Sequence, residues 1–115
     1  MSTFKNYKLI LPAHLNHYGF LFGGDLLKWV DEVAYIKAAL DFPDCNFVTV
    51  GMKEVEFKKS VRDGSILEFE VTEIHKGDTS IQYEVNVRNT KNNDPIFSNT
   101  ITFVRIDKQG EKQKI

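Results

Sequence analysis

The feature that most constrains this chain is a change of hydrophobic period at Pro43. Before it, Leu26, Leu27, Val30, Val33, Ala34 and Ala38 recur at three- and four-residue spacing, which predicts a helix from Gly23-Gly24 to about Leu40, stopped by Asp41-Phe42-Pro43. Trp29, Ile36, Ala39 and Leu40 widen the apolar arc, so this helix is expected to be mostly buried. After Pro43 the helical spacing gives way to alternation. Phe47 to Phe57 reads as a long strand, interrupted at Gly51 and changing parity between Met52 and Val55, the mark of a bend or bulge. Leu67, Phe69 and Val71 alternate with Glu68 and Glu70, and Ile81, Tyr83, Val85 and Val87 alternate with Gln82, Glu84, Asn86 and Arg88. Ile96 to Ile106 forms the last strand, and turns are expected at Arg62-Asp63-Gly64, Lys76-Gly77-Asp78 and Asn92-Asn93-Asp94-Pro95. A first strand, Phe4 to Leu11, ends at Pro12.

One strand, one helix and four strands on short turns imply an α+β fold with an antiparallel sheet packed on a single helix. That helix covers one sheet face only. The other face alternates in polarity and is either solvated or paired with a second copy. At 115 residues the chain is read as one domain, with residues from about 108 to 115 as a flexible tail. Fifteen basic side chains against sixteen acidic ones give no support to nucleic acid or an anionic membrane as the main partner. One cysteine, Cys45, leaves nothing to form an internal disulfide and fits a reducing compartment. With neither a membrane-length apolar run nor a signal-peptide core in view, the expectation is a cytoplasmic protein.

Chemistry concentrates between Leu11 and Glu32. Gly23-Gly24 at a helix start either lets a ligand approach free N–H groups that bind a developing oxyanion, or merely permits a tight turn. Asp31 lies about 40° around the helix from Leu27, at the edge of the apolar arc. A carboxylate there is either a structural polar anchor or a functional base. Asn16 serves either a turn or the orientation of a water or carbonyl. Glu32, further round, reads as solvated. His14 and His17 read as loop histidines rather than zinc ligands, since no third ligand clusters with them. Cys45 reads as a half-buried thiol. Lys53, Lys58, Lys59, Arg62 and Lys76 form a loose basic group that is either a solvated surface or a phosphate contact. Nucleophile-elbow, Walker and dinucleotide fingerprints do not occur.

Taken together, Pro12-x-x-x-Asn16-x-x-Gly19-x-x-Phe22-Gly23-Gly24, Trp29-Val30-Asp31-Glu32, Phe47-Val48-Thr49-Val50, Val55-x-Phe57 and Asp63-Gly64 resemble the acyl-CoA thioesterase (acyl-CoA hydrolase) family of the hotdog fold. The resemblance runs from about residue 7 to 107. It implies a central helix wrapped by a five- to six-stranded antiparallel sheet, and hydrolysis of fatty acyl-CoA to free acid and CoA with no metal or bound cofactor. Asp31 would act as general base or nucleophile, Asn16 would come from the partner subunit, and Gly24 with Gly23 would hold the oxyanion. Gly23, Thr49, Lys58, Lys59, Arg62 and Ser80 would contact substrate. The implied assembly is a homodimer, built into a trimer of dimers. Ser60, Ser65 and Asp78 depart from common family usage. Two other functions are compatible with the fold: a hydratase or dehydratase using His17 and Glu32, and an acyl-CoA-binding module without catalysis.

Overall fold

The computed structural model describes residues 2–115. Its elements are β1 (Thr3–Leu9), α1 (Gly23–Asp41), β2 (Asn46–Met52), β3 (Ile66–Lys76), β4 (Ser80–Asn89) and β5 (Pro95–Ile106), with one 3-10 turn at Pro12–His14. The five strands form a single sheet in the order β1-β3-β4-β5-β2, every neighbour antiparallel. The strands adjacent in sequence after β2 pair through short turns, while β1 and β2 lie at opposite edges of the sheet.

The alternation read from the sequence decides which face meets the helix. Leu67, Phe69, Val71, Ile81, Tyr83 and Phe103 are buried under α1, against Val30, Ala34 and Ala38. These are aromatic and branched aliphatic residues on the sheet and smaller ones on the helix, a combination that lets a helix sit close on a twisted surface. The helix is less completely covered than its composition suggests, because Tyr35 and Leu40 remain exposed.

Two charged clusters close what the apolar core leaves. At the end of α1, Lys37 is buried and ion-paired with Asp41 at 3.0 Å, and the Tyr83 hydroxyl donates to Asp41 Oδ2 at 2.8 Å. Burial first, and then this hydrogen bond, push the Tyr83 hydroxyl far above the ordinary tyrosine value. On the outer sheet face, Glu68 is buried beneath its partners: Arg88 Nε and Nη2 donate at 2.9 and 3.0 Å, and the Tyr7 hydroxyl donates at 2.9 Å. The Arg88 hydrogen bonds hold the Glu68 carboxyl below the usual carboxylate range.

The structure shortens the strand expected to run to Phe57. β2 ends at Met52 after a register shift between Thr49 and Gly51. Beyond it the Asn99 side chain takes over the pairing: its Oδ1 accepts the Lys53 N–H at 2.8 Å, and its Nδ2 donates to the Lys53 carbonyl at 3.1 Å. The chain then leaves the ladder and rejoins β5 at the Phe57–Phe97 bridge and the Lys58 N–H bond to the Ile96 carbonyl, which sets the Phe57 ring against Gly23 at the helix start. The first strand ends two residues early, at Leu9, where the Pro12–His14 turn is set up. The segment expected as a flexible tail instead folds back on β5. Asp107 Oδ1 accepts the N–H groups of Gln109 and Glu111, Gly110 supplies a φ of +84°, and the Gln113 N–H donates to the Arg105 carbonyl. No helix among the described residues is long and apolar enough to cross a membrane.

Candidate active site

The loop between β1 and α1 is built around Asn16. Its side-chain Oδ1 accepts the N–H groups of Tyr18 at 2.9 Å and Phe20 at 3.2 Å, its own N–H donates to the Phe20 carbonyl at 2.7 Å, and Gly19 turns the chain with a φ of +84°. Leu15 and Leu21 bridge at the neck. The oxygen of the Asn16 amide is therefore spent on the loop, while its NH2 donates to no group among the described residues. The turn role of Asn16 is carried by its amide oxygen, which leaves the NH2 end of the same amide unbonded among the described residues.

At the helix start, Phe22 occupies the N-cap position and offers no side-chain cap, and its carbonyl takes the N–H groups of Asp25 and Leu26. The N–H groups of Gly23 and Gly24 are left without a partner among the described residues, at the positive end of the helix dipole. Both glycines sit in close approach to aromatic rings. A methyl group on Gly24 would lie 2.7 Å from Phe22 Cε2, and one on Gly23 would lie 3.0 Å from Phe57 Cζ.

These groups surround a cavity of about 530 Å³. Asn16, Gly23, Lys58 and Lys59 line it with an apolar wall that includes Phe57 and Leu26. Ser60 also borders a second, polar cavity of about 400 Å³ that contains Arg62. The Arg62 guanidinium lies 4.6 Å from the Phe20 ring centroid, and Lys59 approaches Asp94 at 3.7 Å.

Asp31 is elsewhere. It sits seven residues beyond Gly24, which the rise of a helix converts to about 10 Å. Its carboxylate is half-buried, and Oδ1 accepts the hydroxyl of Thr49 on β2 at 2.7 Å. Thr49 is exposed on the edge strand, and its hydroxyl is committed to Asp31. Ser80 lies apart from both groups: it begins β4 and alternates with Ile81 and Tyr83 of the helix-facing side, so it belongs to the outer face. Within one chain, then, Asn16, Gly23, Lys58 and Lys59 line one cavity, with Gly24 next to it along the helix, Asp31 and Thr49 form a second group, and Arg62 and Ser80 join neither.

Other candidates separate as well. His17 stacks on Tyr18 at the surface, with ring centroids 4.0 Å apart, and Glu32 is exposed on α1. Cys45 is a half-buried free thiol. No cluster of three or more His, Cys, Asp or Glu suited to a metal occurs among the described residues. The sequence places Phe57 at the end of a long strand and gives it no role in the site. Its contact with Gly23 joins positions far apart in the chain, and hydrophobic period carries no trace of such a contact.

Comparison with known sequences supplies the deciding observation, since the sequence model of the thioesterase superfamily matches residues 18–96, spanning the helix and most of the sheet. The chain belongs to the thioesterase superfamily. Its fold is the hotdog fold of solved members. An acyl-CoA hydrolase from Staphylococcus aureus, solved with butyryl coenzyme A and coenzyme A, superposes with a TM-score of 0.86 at 27% identity over 97% of this chain and 68% of its own. That staphylococcal enzyme has also been solved with an aspartate, an asparagine or a threonine replaced by alanine. A hexameric thioesterase from Yersinia pestis gives a TM-score of 0.87 at 26% identity, over 96% of this chain and 92% of its own. Acyl-coenzyme A thioesterase 11 of Mus musculus is 37% identical over 60 residues, or 52% of this thioesterase-superfamily chain, which spans 10% of that relative's length.

Proposed function

We propose that this chain is a single-domain acyl-CoA thioester hydrolase whose active site is shared between two copies. The observation that carries the reading is the separation just described. The donors suited to an oxyanion and the carboxylate suited to a base lie about 10 Å apart along one helix, so a single chain cannot bring them to one carbonyl. A second copy can. β2 is an open sheet edge on which Val48 and Val50 are exposed, and an apolar edge strand is a template for pairing with another chain. Asp31 and Thr49 lie beside that edge. Pairing there lets Asp31 of one chain face the Asn16 loop and helix start of the other, and three such dimers would give a hexamer.

In this arrangement Asp31 removes a proton from water, whose oxygen attacks the thioester carbon. The carbonyl oxygen becomes negative against the N–H groups of Gly23 and Gly24 at the helix start. The Asn16 NH2 orients the carbonyl or the water. Collapse breaks the carbon–sulfur bond, and the CoA thiolate takes the proton to leave as the thiol. The alternative route has the Asp31 carboxylate attack directly, giving a mixed anhydride that water then hydrolyses. The fatty acyl chain fits the apolar wall formed by Leu26 and Phe57, and Lys58, Lys59 and Arg62 supply positive charge for CoA phosphates. Thr49 contributes through Asp31, and Ser80 contributes from the outer face of a neighbouring copy. The residue types replaced in the staphylococcal hydrolase, aspartate, asparagine and threonine, match Asp31, Asn16 and Thr49.

The test is thiol release from medium- and long-chain acyl-CoA. Wild-type turnover that falls by about two orders of magnitude or more in Asp31→Ala is expected of a lost base. Tight acyl-CoA binding with no turnover would favour the binding module instead, and undiminished turnover in Asp31→Ala would sink the assigned chemistry.

A further inference from the structure

His14 has no part in the chemistry proposed above, yet the base of the Asn16 loop is assembled on it. The Leu11 N–H donates to His14 Nδ1 at 3.0 Å. The Phe22 N–H donates to the His14 carbonyl at 2.9 Å, immediately ahead of α1. The imidazole stands edge-on to Trp29 of α1, with centroids 4.9 Å apart and planes at 88°. Trp29 is itself a core residue, so the ring is seated against a fixed wall. Both ends of the segment carrying Asn16 are thus tied to one residue, and that residue is tied to the helix whose first N–H groups form the other half of the cavity. An Nδ1 that accepts a hydrogen bond places the ring proton on Nε2.

We infer that His14 is the positioning residue of the active-site loop: its Nδ1 acceptor sets the distance between the Asn16 amide and the helix-start N–H groups of Gly23 and Gly24. This inference rests on the hydrolase reading for its catalytic consequence, though not for its structural one. Catalysis that depends on several groups converging on one carbonyl is sensitive to displacements of about 1 Å. The loop's own hydrogen bonds fix its internal shape but not its placement on the helix. The Phe22 N–H bond to the His14 carbonyl and the Trp29 contact do that, and the Leu11 bond holds the imidazole in the orientation that makes the Trp29 contact.

Three variants test it. His14→Phe keeps an aromatic edge against Trp29 and has no acceptor. His14→Asn places an amide oxygen where Nδ1 stood, and His14→Gln carries its oxygen beyond that position. Against acyl-CoA, His14→Phe is expected to lose about tenfold to a hundredfold in kcat with KM little changed. His14→Asn should recover most of the loss, and His14→Gln should not. The backbone amide resonances of Asn16, Tyr18 and Phe20 should shift in His14→Phe and return in His14→Asn. If His14→Phe does not fold, the contrast between His14→Asn and His14→Gln carries the test. Wild-type kcat with unshifted loop resonances in His14→Phe would overturn the inference, as would His14→Asn being as slow as His14→Gln. A wild-type protein that releases no thiol would defeat the hydrolase reading instead, and the loop resonances would still decide the role of His14.

Discussion

The Thr49 hydroxyl donates a 2.7 Å hydrogen bond to Asp31 Oδ1, joining an edge strand of the sheet to the third turn of the central helix. The bond engages one carboxylate oxygen, and the other, Oδ2, has no hydrogen-bond partner among the described residues. Thr49→Val removes that donor from an anionic group, a hydrogen bond of about 1.5–3 kcal/mol. Activity should drop about tenfold in kcat through loss of orientation, and Thr49→Ser should restore it. Steady-state kinetics on a single acyl-CoA check both.

Gly24→Ala separates stability from function. Alanine improves helix propensity by about 0.8–1 kcal/mol over glycine, and the group it meets, the Phe22 ring, is exposed and free to swing. The variant should therefore melt within a few degrees of wild type, while the displaced ring disturbs the cavity mouth and turnover falls by about 10²-fold, the scale of a compromised oxyanion donor. A calorimetric scan beside an activity assay distinguishes this from general unfolding.

Asn99→Ala should act from a distance. It strips the side-chain partners of the Lys53 and Glu54 backbone; the Lys53 N–H keeps the Thr100 carbonyl and both residues are exposed, so the loss is that of ordinary hydrogen bonds, about 0.5–1.5 kcal/mol each. The denaturant midpoint should fall. Turnover should fall further than stability alone explains, because the released segment carries Phe57 off Gly23.

Glu68 should make stability fall in acid. Its folded carboxyl is held below the ordinary range by Arg88, so its contribution is complete above the unfolded carboxylate value of about 4.3 and is lost as pH falls through the lower folded value. Glu68→Gln should melt earlier than wild type at pH 7. The gap between the two melting curves should narrow as the pH is taken below the carboxylate range.

Much of the fold was legible in the sequence because local periodicity controls it. The helix predicted from Gly23 to Leu40 runs from Gly23 to Asp41, and the alternation of Leu67, Phe69 and Val71 with Glu68 and Glu70 places the apolar set under the helix. What escaped depends on groups distant in sequence. β2 stops at Met52 because the Asn99 side chain intervenes, and the tail turns back because Asp107 captures Gln109 and Glu111. Strand order, with β1 and β2 at opposite edges, follows from packing and leaves no periodic mark. In the site, Asn16, Gly23-Gly24 and Asp31 stood out by residue type and spacing. The Thr49 hydrogen bond to Asp31, the Phe57 ring on Gly23 and the Nδ1 of His14 under the loop were invisible, since each is a three-dimensional contact between residues of unremarkable type.

The shared site is tested most directly by mixing two inactive chains. Asp31→Ala and Asn16→Ala are each purified, mixed in equal amounts, dissociated and reassembled, and assayed for thiol release. In a two-fold symmetric dimer a mixed pair contains one site with both Asp31 and Asn16 intact, so random reassembly should restore about a quarter of wild-type activity. A mixture that stays as inactive as its components, with mixed pairs demonstrated by native mass spectrometry, would contradict a site built from two chains.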